Sequence, residues 1–220
     1  MNNMIELNIS KGNMKMGAIP SFSLPAGKTC SALACKTCYK QDCYGKAMER
    51  RLTTVRNAYA QNLENLQRDL EGCRAFLNWY FGAPNAPRLF RIHVVGDFFS
   101  REYFEMWVNV IHNHPDTHFM AFTKQFDVVK ERVLVTGLPV NLTLIASAWP
   151  GVELPEWVER TMPVAWMQDG AEYRVPKNAH QCDGDCAGTC RGHCWNMNPG
   201  DSVVFEKHGP GIKKNKKVRE

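Results

Sequence analysis

Hydrophobic residues in the middle of the chain follow two alternating spacings, which predict helices and strands in turn. Residues 44–83 contain few helix breakers and place apolar side chains three and four positions apart, so they predict one long helix or two in series. Residues 89–95 (LFRIHVV) form a nearly continuous apolar run, which is typical of a strand buried on both faces. Ser100 is placed to cap an amphipathic helix over residues 101–113.

The same cycle repeats towards the C-terminus. Further strands are predicted at 117–123, 142–146 and 164–167, and further helices at 126–133 and 155–161. Strands that alternate with helices in this way predict βαβ units, and therefore an α/β fold with a parallel sheet. We also expect a short edge strand ahead of an ordered loop over residues 12–28.

Polar residues follow each of the four predicted strands. The residues at these ends are Gly96 and Asp97, Thr123 and Lys124, Ser147 and Trp149, and Gln168 and Asp169. Each one alone is an ordinary loop residue or helix cap, but in a parallel sheet the carboxyl ends of the strands meet at one edge, where ligands bind. The four ends together therefore predict a binding mouth. His93 lies near this edge and is a further candidate, although a lone buried histidine is more often a hydrogen-bonded core residue.

Composition narrows the class of protein. The chain has 220 residues, of which 44% are hydrophobic, so it can bury a core without disulfides. Residues 1–20 lack a signal-peptide pattern, and no run of about eighteen apolar residues predicts a membrane span. We therefore expect a cytoplasmic protein with reduced cysteines. The net charge of +5 is concentrated in a basic tail, residues 210–220, which is either simply solvated or contacts nucleic acid phosphates.

Eight of the nine cysteines fall into two groups, which we call the early quartet (Cys30, Cys35, Cys38 and Cys43) and the late quartet (Cys182, Cys186, Cys190 and Cys194). Thiolates at such short spacings can converge on one soft metal centre. Glycines between the late cysteines predict a loop that wraps a closed site, which holds either structural zinc or an auxiliary iron–sulfur cluster. His180 or His193 could replace one of its ligands. The ninth cysteine, Cys73, is most simply a buried apolar residue.

The early quartet, in the segment CSALACKTCYKQDC, resembles the loop that binds a [4Fe-4S] cluster in radical SAM enzymes. Those enzymes usually have three and two residues between the cysteines and an aromatic residue before the third; here the first gap is four residues, and Thr37 replaces the aromatic. The same gaps also occur in plant-type [2Fe-2S] ferredoxins, whose fourth cysteine is distant. The radical SAM resemblance implies that Cys30, Cys35 and Cys38 bind the cluster and that S-adenosylmethionine (SAM) occupies its open iron. Cys43 would then be a spare cysteine or the mark of a different cofactor.

This resemblance also implies a fold and a set of functional residues. It predicts a partial (β/α) barrel over residues 1–170, with a cysteine-rich extension, residues 171–209, packed on it. The implied catalytic residues are Lys124 and Asp97, and the implied cofactor-binding residues are Gly96, Asp97, Ser147 and Gln168. A carboxylate beside Gly96 could pair with the amino group of SAM. The substrate is unknown, and an electron donor protein would be needed to reduce the cluster.

Most of residues 15–209, from FSLPAGKTC through RIHVVGDFFSREYFEMW and AFTKQ to VVFEKHG, is similar to an uncharacterised family of phage proteins known by the gene-product number eighty-eight. That similarity implies a common fold, paired cysteine sites, a bacteriophage or prophage origin and a location in the host cytoplasm, but no activity. Three functions stay open: a radical-SAM-like iron–sulfur enzyme, a non-catalytic zinc-binding module whose basic tail contacts nucleic acid, and an iron–sulfur electron carrier or redox sensor.

Overall fold

The computed structural model describes residues 5–13, 15–41, 43–150, 153–168, 175–186 and 192–206. These residues form an eight-stranded sheet whose strands are β1 (Ile9–Ser10), β2 (Ser21–Phe22), β3 (Leu89–Ile92), β4 (His118–Thr123), β5 (Leu142–Ala148), β6 (Val164–Gln168), β7 (His180–Gln181) and β8 (Ser202–Glu206). The strand order is β1-β2-β3-β4-β5-β6-β8-β7, and every neighbouring pair is parallel except β1 and β2. The described chain is thus mixed α/β with a mainly parallel sheet, while a partial barrel of radical SAM type stays a prediction.

Within the described residues, eight α-helices connect the strands: α1 (Ala32–Lys36), α2 (Cys38–Gln41), α3 (Tyr44–Arg51), α4 (Thr53–Arg68), α5 (Leu70–Phe81), α6 (Arg101–Asn113), α7 (Phe126–Glu131) and α8 (Glu156–Thr161). Helix α7 continues into a π-helical turn at Arg132–Thr136, and a 3₁₀ turn spans His193–Asn196. The expected helix at 101–113 is observed with these bounds, and the Ser100 hydroxyl accepts from Tyr103 N at 3.2 Å as its N-cap.

The helical region predicted over 44–83 is three helices rather than one or two. Leu52 and Asp69 leave the helical conformation, with φ of −122° and −155°, and they separate α3 from α4 and α4 from α5. Asp69 also caps the new helix, because its Oδ1 accepts from Gly72 N at 2.8 Å. An aspartate that can cap a helix offers the backbone an alternative to helix continuation, which a hydrophobic spacing does not reveal.

One face of the sheet packs against α4 to α8 and forms the main core. Phe90 and Ile92 of β3 point into this core, where they meet Trp107 of α6 and Phe76 of α5. Trp107 is fully buried, and its ring lies 5.7 Å from that of Phe22 in an edge-to-face arrangement. Since burial of one large apolar side chain stabilises a fold by about 1.5–3 kcal/mol, this face holds the helices on the sheet.

The second face of the sheet is covered by residues 194–197, which begin with Cys194, the last member of the late quartet. Met120 and Ile145, from β4 and β5, form a separate cluster with Cys194 and Trp195. The Thr143 hydroxyl also donates to Trp195 O at 2.9 Å. Strands β7 and β8 belong to the same sheet as β6, so the boundary predicted at residue 170 falls within one continuous sheet, and the later residues extend that sheet as well as pack on it.

The Asn141 side chain fixes the entry into the central strands. Its amide donates to the carbonyl oxygens of Ile111, His114 and Thr117 at 3.0, 3.0 and 2.9 Å. These carbonyls lie at the end of α6 and just before β4, where a helix leaves acceptors unsatisfied. Asn141 itself precedes β5, so one buried amide joins α6, β4 and β5.

In the part of the chain that the structure describes, no helix has the length and apolar character that a membrane crossing needs.

Candidate metal and ligand site

The early quartet occupies the loop that follows β2. Leu24 N donates to Val95 O at 2.9 Å, which keeps the chain beside β3 beyond the end of the strand. The loop then turns away at residues 25–30, where the Thr29 hydroxyl donates to Pro25 O at 3.0 Å. Glu49 of α3 reaches back and accepts from Ala26 N at 2.7 Å. These contacts hold the cysteine segment at the carboxyl edge of the sheet.

Two glycines permit this arrangement. A Cβ atom on Gly45 would lie 2.3 Å from a methyl of Val95, so only glycine lets α3 approach the end of β3 so closely. Gly27 has φ of +77°, and a Cβ there would meet the Tyr39 ring at 2.6 Å. The backbone at Gly27 therefore packs against the ring of Tyr39 in the same segment. The Tyr39 ring centre also lies 4.7 Å from the Lys46 ammonium group.

The four cysteines of the early quartet lie close enough together to interact electrostatically. Burial raises the pKa of the Cys30 thiol to about 12, with further increases from Asp97, Cys38 and Cys43. Burial also raises the pKa of Cys38, an effect that the positive charge of Lys124 opposes. The thiols of Cys30 and Cys38 therefore stay protonated unless a cation joins them, which is the behaviour expected of ligands for a metal or a cluster.

Asp97 joins the quartet to the strand ends. It is 5% exposed, and its carboxylate accepts from Phe98 N at 2.8 Å, the Thr123 hydroxyl at 2.7 Å and Lys124 N at 2.7 Å. Burial raises the pKa of this carboxyl group, and the three hydrogen bonds lower it. Since all three partners are donors, they favour the ionised form. The negative charge of Asp97 adds to the rise in the pKa of Cys30 that burial causes.

Lys124 extends the site to β5. Its ammonium group donates to the Ser147 hydroxyl at 2.8 Å and lies 5.4 Å from the centre of the Trp149 ring. It is also close enough to Cys38 to oppose the rise in that thiol's pKa. The structure thus brings together the early quartet, Asp97, Lys124 and Ser147, as the predicted mouth requires. Gly96 takes part through its backbone, since its φ is +87° and a Cβ would lie 2.7 Å from Leu24 Cβ.

Gln168 does not join this group. Side chains alternate along a strand, and Trp166, two residues earlier in β6, belongs to the core beneath the helices. Ile145, two residues before Ser147, belongs instead to the cluster on the second face. Gln168 is therefore exposed at the helix-side face, opposite to the face on which Ser147 lies. Asp169, predicted at the same strand end, lies outside the described residues.

His93 is a core residue in the structure. It is 2% exposed, its Nε2 lies 2.8 Å from the Tyr103 hydroxyl, and burial lowers its pKa to about 3. Its backbone has φ of +61°, a conformation that few residues other than glycine adopt. The strand predicted over 89–95 accordingly ends at Ile92, because the positive φ of His93 interrupts the regular ladder, although His93 N still donates to Phe22 O at 2.8 Å.

Three members of the late quartet are described, and Cys190 lies outside the described residues together with the basic tail. The backbone holds two of the three in place, since Cys182 N donates to Val204 O at 2.8 Å and Cys186 N donates to Lys15 O at 2.9 Å. The rings of His180 and His193 stack nearby, 4.0 Å apart, and His193 Nε2 is buried without a hydrogen-bond partner. His193, which precedes Cys194 in the chain, therefore has a ring nitrogen without a hydrogen-bond partner.

Among the described residues, no three His, Cys, Asp or Glu side chains converge closely enough to hold a metal ion as they stand. Thiols of the early quartet contact backbone oxygens instead, as Cys35 Sγ donates to Gly27 O at 3.2 Å and Cys38 Sγ to Ala34 O at 3.4 Å. In chemical terms the donor set does fit a soft metal, because it consists of grouped thiols. Binding a metal requires these side chains to rotate from the carbonyls towards a common centre.

Sequence reasoning missed Arg91. It stands on β3 between two core residues, and its guanidinium group lies 4.9 Å from the centre of the Phe122 ring on the second face of the sheet. The electrostatic influences on Arg91 include Cys186, Cys194 and Cys182. The signal that could have found it is the single charge within the apolar run LFRIHVV.

Comparison with known proteins identifies the family. The family model described as "Gene product 88" matches residues 5–175, which is most of the chain. The chain belongs to the Gene product 88 family. This confirms the family that the sequence motifs predict, while the match ends at residue 175 and does not include the late quartet, so the similarity predicted as far as residue 209 is confirmed only in part.

Two curated relatives are phage proteins. The chain is 32% identical over 121 residues to the "Gene 88 protein" of Mycobacterium phage L5, a match that covers 51% of each chain. It is 31% identical over 121 residues to the "Gene 88 protein" of Mycobacterium phage D29, with 51% of this chain and 50% of the relative covered. The chain thus spans about half the length of the curated relatives it matches. No solved structure matches the chain. These relatives support a bacteriophage origin, and their names state no activity.

The glycine at position 96 provides a test of the packing beneath the site. Gly96→Ala introduces positive-φ strain of about 1–3 kcal/mol and, because of the short contacts with Leu24 and Thr29, overpacking of about 1–3 kcal/mol more. Gly137→Ala is the matched control, since Gly137 has φ of +83° and nothing within 4 Å of the added Cβ. Urea unfolding should show the larger loss of stability for Gly96→Ala; equal losses would mean that the packing at Gly96 is looser than described.

The buried histidine predicts a pH dependence of stability. With a folded-state pKa of about 3, His93 stays neutral, whereas in the unfolded chain it binds a proton below about pH 6.5. Its contribution is therefore fully present above that pH and falls by up to about 1.4 kcal/mol per pH unit as the pH decreases towards 3. His93→Asn tolerates positive φ and does not titrate, so its unfolding free energy should depend less on pH in this window. Identical pH profiles for the two proteins would exclude this role for His93.

Proposed function

We propose that this protein is a thiolate metalloprotein of the iron–sulfur class, in which the early quartet holds a cluster at the carboxyl edge of the sheet. The observation that supports this most directly is that the residue before Cys30 is hydrogen-bonded to both strand ends, because Asp97 N donates to the Thr29 hydroxyl at 3.3 Å and Gln125 Nε2 donates to Thr29 O at 3.2 Å. The cysteine loop and two strand ends therefore contribute to one site, where a parallel α/β sheet usually binds its ligand. Grouped thiols favour iron–sulfur chemistry or zinc over the harder divalent cations, and the Asp97 carboxylate beside them already accepts from three donors.

Within this class we propose a radical-SAM-like enzyme. The order of these features along the chain supports it, since the cysteine loop follows β2, and Gly96 and Asp97 follow β3. Strands β2 to β6 are parallel, and they lie side by side in the same order as in the sequence. A bound [4Fe-4S] cluster with three protein thiolates would supply the electron for reductive cleavage of SAM, after accepting it from an electron donor protein. Cys30, Cys35 and Cys38 would hold that cluster, which leaves Cys43 as the cysteine whose role separates the alternatives.

The residues of the chain around this centre have distinct tasks. Lys124 and Ser147 form a hydrogen-bonded pair that can orient a carboxylate or another anionic group, since an ammonium donor makes strong charge-assisted hydrogen bonds. Asp97 positions Lys124 by accepting its backbone N–H at 2.7 Å. Three donors already occupy the Asp97 oxygens, so we assign it a positioning role, and its contact with the amino group of SAM stays a prediction. Trp149 covers one side of the Lys124 ammonium group.

A structural metal site is a second candidate function for the late quartet. Cys194 is 7% exposed and belongs to the apolar cluster on the second face of the sheet, together with Trp195 and Met197. A closed thiolate site beside a packed core is typical of structural zinc. The chain could then be a non-catalytic module braced by zinc, with a basic tail that contacts nucleic acid.

Metal analysis tests the proposed class. Protein purified without oxygen should contain iron and acid-labile sulfide, and Cys38→Ala should lose much of both because it removes a ligand of the early quartet. Cys73→Ala is the matched control, since Cys73 is a fully buried core residue of α5 and should leave the iron content unchanged. Cys43→Ala should retain the cluster if three cysteines suffice. Zinc without iron would instead establish the metal-braced module.

Product analysis tests the enzyme. After anaerobic reconstitution, and with a chemical reductant present, the protein should cleave SAM to methionine and 5′-deoxyadenosine, which takes one electron from the reductant and one hydrogen atom from a substrate or buffer molecule. Lys124→Met removes a charged hydrogen bond worth about 1.5–3 kcal/mol, so the rate should fall by about 10- to 100-fold. Lys130→Met, at an exposed position of α7, is the control that should keep the rate. A fully loaded cluster without 5′-deoxyadenosine would overturn the radical SAM proposal and favour an electron carrier or redox sensor.

A further inference from the structure

Lys124 and Ser147 stand side by side at the carboxyl edge of the sheet, on its second face. Thr123 of β4 pairs in register with Ala146 of β5, so the residues that follow them are neighbours across the two strands. The Lys124 ammonium group donates to the Ser147 hydroxyl at 2.8 Å, and both residues are half-buried rather than enclosed. A solute that reaches this edge can therefore contact both groups.

The charge of Lys124 has no anionic partner within the described residues. The ion pairs there join arginines to glutamates, and none of them includes a lysine. The nearby Asp97 carboxylate accepts from the backbone N–H of Lys124. The ammonium group has further donor hydrogens, and the Ser147 hydroxyl that accepts one of them keeps its own hydrogen to donate. Donors from two neighbouring residues are therefore available to the two oxygens of one carboxylate.

An apolar surface lies next to these donors. Phe122 precedes Lys124 by two residues, so both side chains lie on the second face of the sheet. The Phe122 ring lies 6.0 Å from the ring of Phe205 in β8, and both rings pack against the apolar cluster of this face while they remain half-buried. The part of each ring that stays accessible provides contact for an apolar group of a ligand.

A second cation on this face reinforces the preference for an anion. The Arg91 guanidinium group lies 4.9 Å from the centre of the Phe122 ring. Its Nη1 contacts Met16 Sδ at 3.7 Å, and within the described residues Arg91 forms no ion pair with a carboxylate. Two positive charges without carboxylate partners attract negatively charged solutes to this face and disfavour cationic ones.

We propose that this site binds a small substrate with a carboxylate at one end and an aromatic or other apolar body at the other. The carboxylate accepts from Lys124 and Ser147, and the body lies on Phe122 and Phe205. This inference deepens the proposed function and rests on it, because the same edge of the sheet holds the early quartet and so brings the bound molecule near the reactive centre. Binding itself requires only these four side chains, so it can be measured whether or not a cluster is present.

The experiment measures the affinity of the full chain for 3-phenylpropionate by isothermal titration calorimetry. Two comparison ligands separate the halves of the site, since 3-phenylpropanamide has the same body without the charge and propionate has the same head group without the ring. The parent protein should prefer the acid to the amide by about 10- to 100-fold, as expected for a charge-assisted hydrogen bond, and it should bind propionate more weakly than 3-phenylpropionate.

Each half of the site has its own variant. Lys124→Met should lose most of the preference for the acid over the amide, whereas Lys130→Met, at an exposed position of α7, should keep it. Ser147→Ala takes the place of Lys124→Met if that variant does not fold. Phe205→Leu should lower the preference for 3-phenylpropionate over propionate and still discriminate against the amide. Because each readout is a ratio of two affinities in one variant, partial loss of folded protein does not change it.

The outcomes separate this inference from the proposed function. The crossed pattern of the Lys124 and Phe205 variants supports the inference, and iron analysis of the same samples tests the cluster independently. Equal affinity of the parent protein for acid and amide, or an acid preference that survives Lys124→Met, overturns the inference even where the cluster is present. In cluster-loaded protein, an affinity for 3-phenylpropionate that SAM leaves unchanged supports a separate substrate site, whereas displacement by SAM assigns the site to SAM and overturns the inference.

Discussion

The buried carboxylate of Asp97 is the interaction on which the edge of the sheet depends. Its hydrogen bonds from Phe98, Thr123 and Lys124 tie the end of β3 to the end of β4. The same loop is anchored to the cysteine segment, because Asp97 N donates to the Thr29 hydroxyl at 3.3 Å. A buried carboxylate is tolerated here because three hydrogen-bond donors compensate for the loss of its water shell. The cysteine loop, the Lys124 ammonium group and the strand ends thus depend on one another.

The two faces of the sheet divide structural and chemical roles. The helix-side face holds large apolar side chains and provides the bulk of the stabilising burial. The second face carries two cations, Arg91 and Lys124, each of which lies near an aromatic ring. Because strand neighbours alternate between these faces, a shift of one residue in register would exchange the two sets. Register contacts such as those of Asn141 are therefore as important to the site as its own residues.

Much of the α/β organisation could be predicted from local signals. Helix α6 has its cap at Ser100 and its full apolar stripe within one segment, so its bounds were predictable. Strands β2 and β7 contain two residues each, too few for a periodic pattern, and they exist because neighbouring strands pair with them. The breaks at Leu52 and Asp69 were also hidden, since hydrophobic spacing continues across them while the backbone does not.

By itself the sequence determined that this chain has two grouped thiol sites and polar residues at the ends of parallel strands, because those features depend on residue type and short spacing. Only the tertiary structure decided which of them meet. It joined the cysteine segment to Asp97 through Thr29, paired Lys124 with Ser147, separated Gln168 from Ser147, and placed Arg91 against Phe122 on the second face. The physical reason is that such contacts arise from strand order, register and face, which are set by packing between segments distant in the chain.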